Sequence, residues 1–233
     1  KESEGNYTVG KRVVKWCNWD EDGQKESEGH YKNGKLDGKY TWWDEYRQKS
    51  AEYSYKEGKR NGKFTEWYED GKKESEGYYK DDKLDGKKTW WHKNGQKKEE
   101  GYFKNNIRDG EFTCWDKDGK KESEGYYKDD KLDGEITWWH KNGQKKEEGI
   151  YKNDKLDGKY TEWYKNGQKQ SVYFYENDEL NGTQTNWSKD GYKESESHFN
   201  NDKLNGRQTT WYKNGKKLKE FNYIDDKQDG LWA

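Results

Sequence analysis

The amino-acid sequence repeats itself every 24 residues, and this period constrains the fold more than any other feature of the chain. Residues 72–101 and 120–149 differ only at positions 87/135 and 88/136, which indicates a duplication of two repeats. We therefore predict that residues 1–233 form one continuous array of about nine and a half repeats, and that the chain is a fragment starting and ending within a repeat. Three columns keep the period: glycine at 38, 62, 86, 110, 134, 158, 182, 206 and 230; tryptophan at 19, 43, 67, 91, 115, 139, 163, 187 and 211; and an aromatic residue at 7, 31, 55, 79, 103, 127, 151, 175, 199 and 223.

Each repeat predicts two short strands and two tight turns. Residues 73–80 are typical of a strand, Asp81-Asp82 of a two-residue turn, 83–92 of the return strand, and Asn94-Gly95 of the turn into the next repeat. Asn-Gly and Asp-Gly pairs favour type I′ hairpins, because these turns need positive φ at both central residues. The predicted fold is all-β, an elongated single-layer antiparallel meander that forms a solenoid-like array of 24-residue hairpins.

The turn at Asp81-Asp82 also predicts the register of the hairpin. Residues on opposite strands should face each other in three pairs: Tyr79 with Leu84, Gly77 with Gly86, and Glu76 with Lys87. The last pair is expected to contribute roughly 0.2–1 kcal/mol as an opposite-charge pair across strands.

The two adjacent tryptophan columns are in conflict with simple alternation. Alternation from Leu84 places Trp90 on the Tyr79 face, although the 90 column varies and the 91 column is always tryptophan. A one-residue β-bulge at Asp85-Gly86 would bring Trp91 to the Tyr79 face instead. We therefore predict such a bulge, or an equivalent kink, in every repeat, and a structural ladder of Tyr31, Trp43, Tyr79, Trp91, Tyr127 and Trp139.

The face opposite this ladder carries the predicted binding surface. An exposed aromatic row flanked by charges is typical of surfaces that anchor a partner protein or stack on sugars. The alternative interpretation is that these rings only stiffen the sheet by packing across strands. The predicted binding residues are Trp42, Trp90, Trp138, Tyr78, Tyr102, Tyr126, His92 and His140.

Composition and repeat geometry argue against several classes of function. A net charge of −1 gives no general attraction to nucleic acid, and the sequence contains no apolar run long enough for a membrane span. Catalytic groups usually lie on loops of unequal length, whereas the turns here hardly vary. We expect no enzyme activity and no cofactor.

No metal site is predicted either. His92 and His140 occupy one column two repeats apart, about 19 Å at the usual strand spacing, which is too far for ligands of one ion. Cys17 and Cys114 lie four repeats apart, too far for a disulfide. Acidic pairs such as Asp81-Asp82 are better explained by turn chemistry than by calcium, because other repeats place Asn-Gly or Asn-Asn there.

The repeat unit resembles the bacterial variant of the MORN repeat, of the type found in the YwqK family of antitoxins. The resemblance covers essentially the whole chain and implies an elongated, curled stack of β-hairpins. For function it implies scaffolding, protein binding, membrane association or neutralisation of a toxin. The residues that carry it run from Glu76-Gly77-Tyr78-Tyr79-Lys80 through Leu84-Asp85-Gly86, Thr89 and Trp91 to Asn94-Gly95-Gln96-Lys97-Lys98.

The resulting functional hypothesis is a non-enzymatic interaction or scaffold module. It would bind a protein partner, or a cell-surface or host component, through an extended β-ribbon surface of a secreted or surface-displayed bacterial protein. One alternative is a cytoplasmic antitoxin or immunity protein that neutralises a toxin partner, and another is a passive structural spacer. Homo-oligomers could also form through unpaired sheet ends or edges.

Overall fold

The computed structural model describes residues 3–4, 7–8, 11–12 and 15–230. The described residues form strands and turns, and no helix occurs among them. The chain divides into two compact units, residues 1–119 and 120–233. The predicted all-β array of 24-residue hairpins is confirmed, while the other residues of its first repeat and residues 231–233 lie outside the described ranges.

Unit 1 is an antiparallel meander in which the strands from β4 to β9 pair in chain order, β9 pairs with both β10 and β11, and β11, β12 and β13 again pair in order. β1 pairs with β4, and β2 with β3. Its strands are β1 Ser3–Glu4, β2 Tyr7–Thr8, β3 Lys11–Arg12, β4 Lys15–Trp19, β5 Lys25–Lys32, β6 Lys35–Trp43, β7 Lys49–Lys56, β8 Lys59–Trp67, β9 Lys73–Lys80, β10 Lys83–Leu84, β11 Gly86–Trp91, β12 Lys97–Lys104 and β13 Ile107–Trp115.

Unit 2 repeats the same meander. Where a return strand is interrupted before its glycine, both pieces pair with the same outward strand, as β15 and β16 do with β14. Its strands are β14 Lys121–Lys128, β15 Lys131–Leu132, β16 Gly134–Trp139, β17 Lys145–Lys152, β18 Lys155–Trp163, β19 Lys169–Glu176, β20 Glu179–Leu180, β21 Gly182–Trp187, β22 Lys193–Asn200, β23 Lys203–Leu204, β24 Gly206–Trp211, β25 Lys217–Ile224 and β26 Lys227–Asp229.

The predicted turn and the first part of the register are confirmed. Asp81 and Asp82 have φ angles of 49° and 68°, and Tyr79 faces Leu84 across the hairpin. Aspartate and asparagine tolerate this left-handed region better than other non-glycine residues, which explains their dominance in these turns.

The predicted one-residue bulge is wrong, because the return strand carries two extra residues. Tyr79 faces Leu84, and Glu76 faces Thr89. Two residues therefore separate Glu76 from Tyr79 on the outward strand, whereas four separate Leu84 from Thr89 on the return strand. A shift of two leaves the alternation of side chains unchanged. Trp90 therefore lies on the Tyr79 face, opposite Ser75, and Trp91 lies on the other face.

The same shift overturns the predicted glycine and charge pairs. Phe64 faces Gly77 from the preceding repeat, and a Cβ at Gly77 would lie 2.9 Å from the Phe64 ring. The glycine thus makes room for a neighbouring ring instead of facing Gly86. Glu76 forms its ion pairs with Lys63 and Lys73, not with Lys87.

We call the side of each sheet that carries Tyr79, Trp90 and their equivalents the ring face, and the side that carries Trp91, Tyr78 and their equivalents the lysine face. The ring face holds most of the buried apolar residues, which are Trp16, Tyr40 and Phe64 in unit 1 and Ile136 in unit 2.

Tryptophans of the 90 column complete this packing on the ring face. The ring centroid of Trp90 lies 5.9 Å from that of Phe103, and Trp138 lies 6.1 Å from Tyr151. The predicted ladder of Tyr79 with Trp91 is therefore replaced by a ladder of Tyr79 with Trp90, and the same holds for Trp43 and Trp139.

Candidate binding face

The lysine face explains why the 91 column is always tryptophan. The ammonium group of Lys73 lies 5.5 Å from the ring centroid of Trp91, and a lysine covers the equivalent ring in most repeats. A cation over an indole face contributes about 0.5–1 kcal/mol at exposed sites. The other pairs are Lys25–Trp43, Lys49–Trp67, Lys97–Trp115, Lys121–Trp139, Lys145–Trp163 and Lys193–Trp211, at 4.5–5.8 Å.

The same lysines belong to a recurring triad of lysine, glutamate and lysine. Glu76 accepts from Lys73 at 2.7 Å on its own strand and lies 3.3 Å from Lys63 on the preceding strand. Among the described residues of unit 1, four such triads are centred on Glu28, Glu52, Glu76 and Glu100. Partial burial works to raise the pKa of Glu76, but hydrogen bonds from the two lysines outweigh it and the pKa lies below its usual value.

An exposed row of large side chains runs along the lysine face beside the triads. In unit 1 it consists of Tyr78 and Tyr102, which are 49% and 41% exposed. In unit 2 it consists of Tyr126, Ile150 and Phe174, each 40% exposed. We call these three residues the apolar row of unit 2. The 24-residue step of this row gives a spacing of two strands, about 9.6 Å, between its neighbours.

The structure divides the predicted binding residues between the two faces. Trp42, Trp90 and Trp138 lie half-buried on the ring face, where Trp42 also packs 4.3 Å from Tyr40 between ring centroids. Tyr78, Tyr102 and Tyr126 lie exposed on the lysine face. The predicted single aromatic row is therefore wrong as a geometry, and the binding role of either set stays a prediction.

The two predicted histidines connect neighbouring repeats. Nε2 of His92 is hydrogen-bonded to the backbone carbonyl of Trp115 at 3.0 Å, and Nε2 of His140 to that of Trp163 at 2.9 Å. Tyr164 occupies the same column and donates its hydroxyl to the carbonyl of Trp187 at 2.9 Å. The histidines and Tyr164 thus connect one repeat to the next, whereas Asp44 and Asp116 in the same column accept from backbone N–H groups of their own turns.

A second connection between repeats lies at the other sheet edge and was not predicted from the sequence. The backbone N–H of Asp178 donates to the carbonyl of Leu156, and Asp178 Oδ1 accepts from the Leu156 N–H at 2.7 Å. The signal in the sequence is an Asp or Asn as the second turn residue in most repeats. Its side chain serves the preceding repeat as well as its own turn.

Half-buried carboxylates of the ring face accept hydrogen bonds from hydroxyl groups of neighbouring strands. Glu66 accepts from the hydroxyls of Tyr53 and Ser75, and Glu162 does so from Ser171. Burial, with the hydrogen bond to Glu66 second, raises the pKa of the Tyr53 phenol well above its usual range. These hydrogen bonds connect neighbouring strands on the ring face.

The described residues contain no group of three or more His, Cys, Asp or Glu side chains arranged to hold a metal ion. A helix long and apolar enough to span a bilayer does not occur in them.

Comparison with known proteins identifies the repeat. A family model described as a MORN repeat variant matches seven segments that together cover more than half of the chain. The chain belongs to the MORN repeat variant family. The matched segments are residues 12–33, 60–81, 84–105, 108–129, 132–153, 156–177 and 204–225.

Similarity outside this family is weak. No curated protein matches the MORN chain. Among solved structures it is similar to the crystal structure of TcdB2-TccC3, with 9% identity and a TM-score of 0.24 over 93% of this chain and 16% of that chain. It is also similar to TcdB2-TccC3-Cdc42, with 9% identity, a TM-score of 0.22, and coverage of 93% and 15%. The chain thus spans less than a fifth of the length of these structures, and the scores are too low to support an argument.

Proposed function

We propose that the chain is a non-enzymatic binding module that engages a protein partner through the lysine face. The observation that carries this proposal is the apolar row of unit 2, in which Tyr126, Ile150 and Phe174 are each 40% exposed at regular spacing. Exposed apolar side chains that are aligned and rimmed by charges are typical of interaction surfaces. The MORN repeats support a repeat-based binding or scaffold role.

The fold itself does not need the apolar row. The same column holds Ser54 in unit 1 and Asn222 in unit 2, and the strands form there in the same register. Large apolar groups at three successive repeats of unit 2 therefore add exposed apolar surface without a role in strand pairing. Buried core positions behave differently, because Phe64 and Ile136 are completely enclosed.

The test is partner capture with the full chain as bait and a variant in which Tyr126→Ser, Ile150→Ser and Phe174→Ser are combined. We expect recovery of a stoichiometric partner to fall at least about tenfold, since interface residues that matter each contribute more than about 1 kcal/mol. The matched control combines Lys128→Ser, Lys152→Ser and Glu176→Ser, which change exposed residues on the same strands and face. Recovery with the control variant should equal that of the wild type.

The alternatives make different predictions in the same experiment. A single toxin captured from a cytoplasmic extract would favour the antitoxin function, and capture of envelope or host-surface polysaccharide would favour a surface-binding protein. A passive spacer would capture nothing from either fraction. Equal recovery with the wild type and the apolar-row variant would contradict the proposed face.

A further inference from the structure

One triad of the lysine face lacks its carboxylate. In unit 2, Val172 occupies the position that Glu76 has in unit 1, opposite a threonine of the preceding strand in both cases. Lys159 and Lys169 occupy the positions of Lys63 and Lys73. The two lysines that elsewhere share one glutamate are present, but an apolar side chain lies between them.

The two lysines are exposed and carry unbalanced charge. Within the described residues, neither Lys159 nor Lys169 has an ion-pair partner, and Lys169 does not cover Trp187 as its equivalents cover their rings. A cleft of about 390 Å³, lined by Trp163, Lys169 and Trp187, lies next to the sheet edge. On the other side of Val172, Lys159 faces the exposed ring of Phe174.

We propose that Lys159 and Lys169 bind an acidic side chain of the protein partner, whose carboxylate takes the place of the missing glutamate. In the complete triads one carboxylate is within 2.6–3.3 Å of two lysine ammonium groups, so the spacing of the lysines already fits one such group. Phe174 provides the adjacent contact for an apolar neighbour of that acidic residue.

Charge complementarity favours this occupant over a neutral or basic one. One repeat earlier, Glu135 replaces the lysine of the triad beside Glu148, so that repeat carries an excess of negative charge. Val172 creates the opposite excess one repeat later. A partner with an acidic residue is therefore directed to the Val172 repeat, because like charges disfavour the neighbouring one. This inference rests on the proposed function and specifies the chemistry of the partner at that face.

The test uses purified full-length chain and two synthetic peptides with blocked ends, Gly-Phe-Glu-Phe-Gly and Gly-Phe-Gln-Phe-Gly, titrated by NMR at low salt. We expect the glutamate peptide to bind about fivefold more tightly than the glutamine peptide. Val172→Glu restores the triad and should abolish this preference. Thermal unfolding of Val172→Glu provides the folding control, since a glutamate at this position is tolerated in four repeats of unit 1.

The matched gain-of-function variant is Glu76→Val, which removes the carboxylate between Lys63 and Lys73 and should create a second site with the same preference. Equal binding of the two peptides, or an unchanged preference in Val172→Glu, would overturn the inference. Self-association of the wild type that Val172→Glu abolishes would instead show a second copy as the occupant and also overturn it. Partner capture that depends on the apolar row but not on Lys159 and Lys169 would leave the proposed function standing without this inference.

Discussion

Units 1 and 2 share one backbone pattern and differ in how their lysine faces balance charge. The described part of unit 1 has four complete triads, in each of which one glutamate pairs with two lysines. Unit 2 has single pairs such as Lys193–Glu196, one glutamate between two cations at Glu220, a glutamate in place of a triad lysine at 135, and a valine in place of the triad glutamate at 172. Turns and ring packing therefore determine the strands, and the charges of the lysine face differ between the units without changing the strand pattern.

The units also differ at their turns. In unit 2 the second turn residues Asp154, Asp178, Asp202 and Asp226 all accept from the N–H of a leucine in the preceding repeat. In unit 1 Asp82 and Asn106 make the same kind of bond, but Gly58 bonds to Leu36 through its backbone alone. Unit 1 therefore gains more from charge pairing, and unit 2 more from turn hydrogen bonds.

The largest expected effect comes from the ring face. Phe64→Ala in unit 1 should lower the free energy of unfolding by about 3–5 kcal/mol, and Ile136→Ala in unit 2 by about 2–5 kcal/mol, because both side chains are fully enclosed. Denaturant unfolding combined with hydrogen exchange resolves the two units. A loss below 1 kcal/mol in either variant would show that the ring face is not the core of that unit.

Gly29→Ala should be the next most damaging change. A Cβ at Gly29 would lie 2.1 Å from the ring of Tyr40, whereas one at Gly101 would have its nearest neighbour at 3.8 Å. We expect a loss of about 1–3 kcal/mol for Gly29→Ala and less than about 1 kcal/mol for the matched Gly101→Ala. Thermal melting of both variants measures the contrast, and similar losses would refute the role of glycine as space for the ring.

The turn hydrogen bond should contribute about 1 kcal/mol. Asp178→Gly keeps the positive φ but removes the acceptor for Leu156, so unit 2 should lose roughly 0.5–1.5 kcal/mol. The reciprocal change Gly58→Asn supplies an acceptor for Leu36 and should stabilise unit 1 by a smaller amount. Chemical denaturation of the two variants would disprove the connection if neither free energy moved.

Acidification should affect unit 1 through its triads. The pKa of Glu100 is lowered, with burial opposing and the hydrogen bonds from Lys87 and Lys97 prevailing. A depressed pKa means that its stabilisation is present above the usual glutamate pKa near 4.5 and is lost as the pH falls through the lower folded value. Since the pair is partly exposed, the loss should be below about 1 kcal/mol.

Hydrogen exchange of β12 between pH 5 and pH 3 measures this loss. Glu100→Gln is the control, because its protection should be lower at pH 5 and change less on acidification. Equal pH dependence in the wild type and Glu100→Gln would mean that the triad does not stabilise the sheet.

Much of the fold could be predicted from the sequence because turn chemistry is local. Asp81-Asp82 identified the turn, and the Tyr79–Leu84 register follows from it. The face of Trp91 could not be predicted, because it depends on how many residues between Leu84 and Thr89 have no opposite residue on the partner strand. That number depends on packing between repeats, where the Phe64 ring occupies the space over Gly77.

The candidate site was predicted only in part for the same reason. Tyr78, Tyr102 and Tyr126 were correctly placed on the face away from Tyr79, since strict alternation along one strand suffices for that. The lysines that contact Trp91 and Glu76 from neighbouring strands could not be identified, because the register shift determines which residues meet across the strands. Val172 stands out in the sequence as an apolar residue in a column of glutamates. That it lies between two lysines could be inferred only once the triads around the equivalent glutamates were known.

The hydrogen bonds at the turns have a consequence for how such a chain changes in length. Asp178 bonds to Leu156 of the preceding repeat and His140 bonds to Trp163 of the following one, so these bonds connect each repeat to its immediate neighbours. A newly copied segment of whole repeats therefore carries the groups that bond to the repeat before it and to the repeat after it. Such a segment can be inserted in frame at any repeat boundary. The near identity of residues 72–101 and 120–149 indicates such an event. Lengthening the chain by duplication therefore requires no new type of contact between repeats.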